Sequence, residues 1–89
     1  MDNTVVDDIL KERGREYGSF REHAEISQAL KFTLHNSHNW NKLTWDKKEA
    51  LEMIAHKIAR ILNGNPCYRD SWIDICGYSK LVSDTLEDL

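Results

Sequence analysis

The chain has 89 residues, of which 40% are hydrophobic and 30% are charged, and its formal net charge is −3. This length predicts one domain, residues 1–89, and excludes a second. Because Lys and Arg are scattered among acidic residues, nucleic acid is not an expected partner. Cys67 and Cys76 form no C-x-x-C pair, and no apolar run is long enough to cross a bilayer. We therefore expect a cytoplasmic protein with reduced thiols and no membrane partner.

Helical spacing of apolar residues recurs in every long segment, and no strand-like alternation persists. A first helix is predicted over residues 4–17, before the break at "YGS". A second helix follows a capping box formed by Ser19 and Glu22 and is predicted to run to about Asn36. The polar segment "NSHNWNKLT" has no period and predicts a loop.

The third predicted helix has Thr44 as its N-cap and Gly64 as a left-handed residue after its end. After the connection "NGNPCYRD", Asp70 is predicted to cap a fourth helix that continues toward Leu86. The sequence thus predicts an all-α, compact four-helix bundle. The apolar residues of the third helix exceed one face, which indicates a central helix or a subunit interface, so we expect a homo-oligomer. Its main apolar face is Leu51, Ile54, Ala55, Ile58 and Leu62.

A polar stripe lies opposite this apolar face and consists of Glu49, Glu52, His56, Arg60 and Asn63, spaced three or four residues apart. In one interpretation the stripe is solvated and holds i,i+4 pairs such as Glu52 with His56, each worth about 0.2–0.5 kcal/mol. In the other, Glu49 and Glu52 present two carboxylates to one Mg²⁺ ion. The spacing alone is compatible with both.

The fourth helix offers further carboxylates to such a site, because Asp70 and Asp74 share one face and the short connection makes the last two helices antiparallel neighbours. Asp70 also suits an N-cap. Asp74 flanks an apolar arc and needs a partner, such as a metal, Lys57, Arg60 or a tyrosine hydroxyl. His23 lies on the apolar face of the second helix and is either a hydrogen-bonded core residue or a ligand-binding one.

Four segments carry a resemblance to known families. The order of "ERGREYGSF", "HAEISQALK", "KEALEMIAHKIARILNGNP" and "DSWIDICGYSKLV", over residues 12–82, resembles a family of small proteins encoded by phages and prophages. More loosely, the third and fourth helices look like the all-α nucleoside triphosphate pyrophosphohydrolases of the MazG and dimeric dUTPase type. That superfamily holds Mg²⁺ with E-E-x-x-E on one helix and E-x-x-D on the next, and cleaves between the α and β phosphates.

The looser resemblance implies Mg²⁺ as a cofactor and a set of site residues. Glu49 and Glu52 match part of the first motif, and Asp74 matches the acid of the second. Lys48 replaces the first Glu, and Asp70 stands four residues before Asp74 where the motif has a Glu three before. These departures affect catalysis more than nucleotide binding. The expected residues are, for metal, Glu49, Glu52 and Asp74; for catalysis, Glu49, Glu52 and His56; and for the nucleotide, His23, Lys57, Arg60, Asp70 and Tyr78.

Three functions agree with these residues. The first is a Mg²⁺-dependent nucleotide pyrophosphohydrolase. The second is a non-catalytic protein that sequesters a nucleotide or cyclic nucleotide against host defence, with Arg69 as a further phosphate contact and Tyr68 or Trp72 stacking on the base. The third is an interaction protein that binds a host target. The resemblance favours a nucleotide-related function, and it supports nucleotide binding more strongly than catalysis.

Overall fold

The computed structural model describes residues 3–87, so residues 1, 2, 88 and 89 of the predicted domain lie outside the described range. Within that range the chain forms no strand. The structure therefore confirms the prediction of an all-α bundle with four helices. They are α1 (Thr4–Tyr17), α2 (Phe20–His35), α3 (Trp45–Asn63) and α4 (Arg69–Ser83), and a short 3₁₀ turn, Trp40–Lys42, precedes α3.

The start of α2 follows from its local sequence. The Ser19 hydroxyl accepts a hydrogen bond from the Glu22 backbone N–H at 3.2 Å, as the capping box predicts. At α3, Thr44 occupies the N-cap position, but its hydroxyl donates to the Asp46 carboxylate and makes no cap hydrogen bond. Thr44 is therefore the N-cap residue, as predicted, but it does not form the capping hydrogen bond.

The start of α4 differs from the prediction. Tyr68 is the N-cap residue, and Asp70 lies inside the first turn, so the prediction that Asp70 caps this helix is wrong. A carboxylate in the first turn still favours the helix, because the unpaired N–H groups there carry partial positive charge. The helix ends at Ser83, and Leu86 lies beyond it and is exposed.

The core is formed where α3 packs between α2 and α4. Its buried apolar residues are small, namely Ala50, Ala55 and Ala59, and small side chains allow neighbouring helices to approach closely. Leu51 and Leu62, predicted for the main apolar face, are exposed. Because α2 and α4 pack on two sides of α3, the buried residues of α3 lie along two lines of helix contact and not along one apolar face.

Helix α1 contacts the other helices mainly at its C-terminal end. None of its residues is buried, and half-burial starts only at Glu16 and continues through Gly18. Its apolar residues Val5 and Leu10 stay 62% and 59% exposed. The described chain measures 51 × 30 × 26 Å and is thus more extended than the predicted compact bundle.

Candidate functional site

The turn between α1 and α2 is bonded to the C-terminal end of α3. The Asn63 side-chain amide donates to the carbonyls of Tyr17 and Ser19, both at 2.9 Å. The Asn65 backbone N–H donates to the Glu16 carbonyl at 2.7 Å. Gly18 lies in the turn with φ +77°, a conformation that glycine adopts without steric cost. These contacts fix the end of α1 against α3.

Gly64 lies where the backbone at the end of α3 comes close to the backbone at the end of α1. A Cβ atom at Gly64 would lie 2.2 Å from the Glu16 carbonyl oxygen and 2.4 Å from the Tyr17 Cα. Its φ is −123° and its ψ is −136°, so the prediction of a left-handed residue here is wrong. Glycine is required because two backbone segments meet at this point.

A cavity of about 550 Å³, which we call the junction cleft, opens where α1, the turn and α3 meet. No Asp or Glu is among the described residues that line it, although the whole chain has a net charge of −3. The lining combines cationic, imidazole and aromatic side chains, which suits an anionic ligand with a planar group. The lining residues are Leu10, Arg13, Gly14, Tyr17, Gly18, Ser19, Phe20, His23, His56 and Arg60.

Arg60 is the fixed cation of the junction cleft. Its guanidinium carbon lies 4.1 Å from the centroid of the Tyr17 ring, so the planar group is held by a cation–π contact. Arg60 is half-buried and forms no salt bridge with any residue in the described part of the chain. A positioned guanidinium without an internal carboxylate partner is well suited to bidentate binding of phosphate.

Two histidines from different helices meet behind Arg60. The ring centroids of His23, on α2, and His56, on α3, lie 4.6 Å apart in an edge-to-face arrangement. Burial, and secondly the charge of Arg60, lowers the pKa of both rings, and the pKa of His56 falls to about 4. Both imidazoles are therefore neutral near pH 7, each with one N–H donor and one acceptor nitrogen.

His23 has an unmet hydrogen-bonding requirement. It is buried, and its Nδ1 has no hydrogen-bond partner among the described residues. Leaving a buried polar atom unpaired costs roughly 1–3 kcal/mol. A hydrogen-bond partner for this atom would remove that cost.

The lowered pKa of His56 predicts a loss of stability in acid. Between pH 6.5, its ordinary pKa, and about 4, the unfolded chain binds a proton that the folded chain does not. The free energy of unfolding should therefore fall as the pH is lowered through this window, and His23 contributes with the same sign. Urea unfolding at several pH values should show a flatter dependence for His56→Gln, whereas His38→Gln, at an exposed position, should keep the wild-type slope. An unchanged slope in His56→Gln would contradict this assignment.

Two of the three acidic residues predicted to bind Mg²⁺, Glu52 and Asp74, have other partners, and the third, Glu49, is exposed and lines a separate hollow with Glu52. Glu52 Oε1 lies 2.7 Å from His35 Nε2 on α2, so the alternative pair of Glu52 with His56 is not the one formed. Asp74 Oδ2 lies 2.9 Å from Lys57 Nζ, one of the partners considered for it. No cluster of three or more His, Cys, Asp or Glu suited to a metal occurs within residues 3–87. Within the described residues of one chain, Glu49, Glu52 and Asp74 therefore do not form one three-residue cluster, and the Mg²⁺ site stays a prediction.

The predicted nucleotide-binding residues separate into two groups. His23 and Arg60 meet in the junction cleft, together with His56, which was predicted for catalysis. Lys57 is bonded to Asp74, outside the junction cleft. Tyr78 lines a separate apolar hollow between α3 and α4.

The residues around the start of α4 also lie outside the junction cleft. Asp70 lies beside Tyr68 and raises the pKa of its phenol through its charge and a hydrogen bond. The Trp72 indole N–H donates to the Pro66 carbonyl at 2.8 Å, which gives Trp72 a structural contact in the connection before α4. Of the additional residues considered for nucleotide binding, none is therefore in the junction cleft.

Sequence reasoning missed Arg13 and Phe20 as lining residues. Arg13 and Tyr17 are four residues apart and so share one face of α1, which is a signal that the segment "ERGREYG" contained. The exposed Phe20 directly follows the cap of α2. No comparable local signal distinguishes it from a surface aromatic.

Fold and site together define an all-α domain with an anion-suited cleft among its first three helices. The chain belongs to the family described as "Domain of unknown function (DUF6378)", whose model matches residues 3–86. Comparisons with curated proteins and with solved structures gave no match. None of the described helices has the length and hydropathy needed to cross a membrane.

Proposed function

We propose that this protein binds a nucleotide in the junction cleft without needing a metal ion. The observation that carries the proposal is the convergence of Arg13, Arg60, His23 and His56 in one cavity whose described lining includes no carboxylate. These groups come from three helices, so the cleft exists only in the folded chain. It corresponds to the non-catalytic alternative among the functions considered from sequence.

The phosphate end of the ligand belongs at Arg60. Its guanidinium is already oriented by Tyr17, so little side-chain entropy is lost when it forms two parallel hydrogen bonds to phosphate oxygens. Arg13 adds a second positive charge from α1. The neutral imidazoles of His23 and His56 can each donate one further N–H bond.

The base of the nucleotide belongs at the aromatic edge of the cleft. Phe20 is 80% exposed and lies over His23, with ring centroids 6.1 Å apart. An exposed aromatic ring at the mouth of a cavity is a stacking surface for a base. The volume of about 550 Å³ falls within the usual range for small-molecule sites.

Calorimetry with the purified protein tests this proposal. We expect dGTP and dATP to bind in EDTA as well as in Mg²⁺, with affinity decreasing from triphosphate to monophosphate and no measurable binding of the nucleoside. This order follows because the arginines contact the phosphates. Equal affinity for nucleoside and triphosphate, or no binding of any of them, would contradict the proposal.

The pyrophosphohydrolase interpretation stays a prediction from the resemblance. It requires a ligand set for Mg²⁺ that one chain does not assemble within the described residues. The Mg²⁺ samples of the calorimetry can be assayed for pyrophosphate. If the wild type released more pyrophosphate than the Glu52→Gln variant, the function would be hydrolysis and not sequestration.

We also propose that copies of the chain associate through α1. Its apolar residues Val5, Val6, Ile9 and Leu10 are between 45% and 62% exposed, and no other described part of the chain buries them. An amphipathic helix with an uncovered apolar stripe favours association. Light scattering should give at least a dimer for the wild type and a monomer for Val6→Glu. A monomeric wild type would contradict the proposal.

A further inference from the structure

A second cavity adjoins the junction cleft and shares Tyr17 with it. This outer hollow has a volume of about 280 Å³ and is completed by Ile9, Glu12, Glu16 and Tyr68. Arg13, Tyr17 and Arg60 line both cavities. The two spaces therefore share one wall, and that wall carries the two arginines.

This arrangement places the positive charge between two cavities. Arg60 stacks on the Tyr17 ring, and Tyr68 meets the same ring edge-on at 5.7 Å. A mononucleotide with its base in the junction cleft and its phosphates at the two arginines has no second planar group to fill the outer hollow. A ligand with phosphate at its centre and a planar group on each side matches both cavities.

We infer that the ligand of this site is a dinucleotide whose phosphate groups lie at Arg13 and Arg60 and whose two bases occupy the junction cleft and the outer hollow. This inference rests on the proposed nucleotide binding and specifies its ligand class. The half-exposed ring of Tyr68 supplies the stacking surface of the outer hollow. Phe20 supplies that of the junction cleft.

The polar groups of the outer hollow select guanine. Glu12 and Glu16 are carboxylates and accept hydrogen bonds, and guanine presents two adjacent donors, N1–H and the N2 amino group. Glu16 Oε2 accepts one bond from the Asn65 side chain at 3.2 Å, and Glu12 is paired with exposed Arg15. Each carboxylate has about four lone-pair positions and so keeps acceptor capacity for a base.

The test compares dinucleotides with a mononucleotide, GDP, which has the same formal charge as the linear dinucleotide and one negative charge more than the cyclic one. Calorimetry would use the linear dinucleotide pGpG, the cyclic dinucleotide cyclic di-GMP, and GDP. We expect one or both dinucleotides to bind about tenfold or more tightly than GDP, because a second base is stacked. The linear and cyclic probes distinguish the two forms of this ligand.

Variants of the outer hollow locate the second base. Tyr68→Ala should lower the affinity for the dinucleotide by more than it lowers the affinity for GDP, whereas Tyr68→Phe, which keeps the ring, should retain the advantage of the dinucleotide. Glu16→Gln should reduce the preference for pGpG over pApA. Equal losses for GDP and pGpG in Tyr68→Ala would contradict the inference.

Failure of this inference is distinguishable from failure of the proposed function. If GDP binds in a manner that depends on Arg60 and neither dinucleotide binds more tightly, the two-base ligand is wrong and nucleotide binding stands. If neither GDP nor the dinucleotides bind, both proposals are wrong.

Discussion

Arg60→Ala is expected to weaken triphosphate binding by roughly 30- to 150-fold. The variant removes a guanidinium that is half-buried, stacked on Tyr17 at 4.1 Å and not paired with any described carboxylate. Loss of charge-assisted hydrogen bonds to phosphate costs about 2–3 kcal/mol, which corresponds to that factor. Calorimetry with dGTP in EDTA measures it.

Two further variants separate charge from geometry. Arg60→Lys keeps the positive charge and loses both the stacking and the bidentate contact, so its affinity should fall between wild type and Arg60→Ala. Arg69→Ala removes an exposed arginine from the first turn of α4, outside the junction cleft, and should bind dGTP as the wild type does. Equal affinities for Arg60→Ala and Arg69→Ala would show that the phosphates lie elsewhere.

Gly64→Ala is expected to lower the free energy of unfolding by about 2–3 kcal/mol, because an added methyl group overlaps a rigid backbone. The new Cβ would lie 2.2 Å from the Glu16 carbonyl oxygen, so the end of α1 must move away from α3. The same movement separates Arg13 from Arg60, and nucleotide binding should be lost with it. Urea unfolding at fixed protein concentration measures the stability.

Gly77→Ala is the matched control for this substitution. Gly77 lies inside α4 on the exposed side, and nothing lies within 4 Å of a Cβ built there. Alanine should therefore stabilise the helix by about 0.5–1 kcal/mol. If Gly64→Ala were as stable as Gly77→Ala, the close approach of α1 and α3 would not exist in solution.

The sequence predicted those features of the fold that depend on neighbouring residues. The bounds of α1 agree with the predicted range, and the cap of α2 involves Ser19 and Glu22, three residues apart. The prediction for Gly64 was wrong because a glycine after a helix usually adopts a left-handed conformation. Here glycine is required because the backbone of α1 lies too close for a side chain.

The polar stripe of α3 shows why the site was only partly predictable. Spacing placed Glu52, His56 and Arg60 on one face. In the structure these three side chains meet His35, His23 and Tyr17 respectively, which lie 17, 33 and 43 positions earlier in the chain. Helical period defines which residues share a face and contains no information about what faces them.

The helical class, most of the helix starts and the residues that line up on each face could be predicted from the sequence, because these features depend on interactions within one or two turns. Helix packing, in contrast, brings Arg60 and His56 together with Arg13 and His23 in one cleft and pairs Glu52 and Asp74 with separate neighbours. Its decisive contacts, such as that of Asn63 with Tyr17, join residues 46 positions apart. Contacts at that separation depend on how the helices pack, and helix packing is not a local property of the chain.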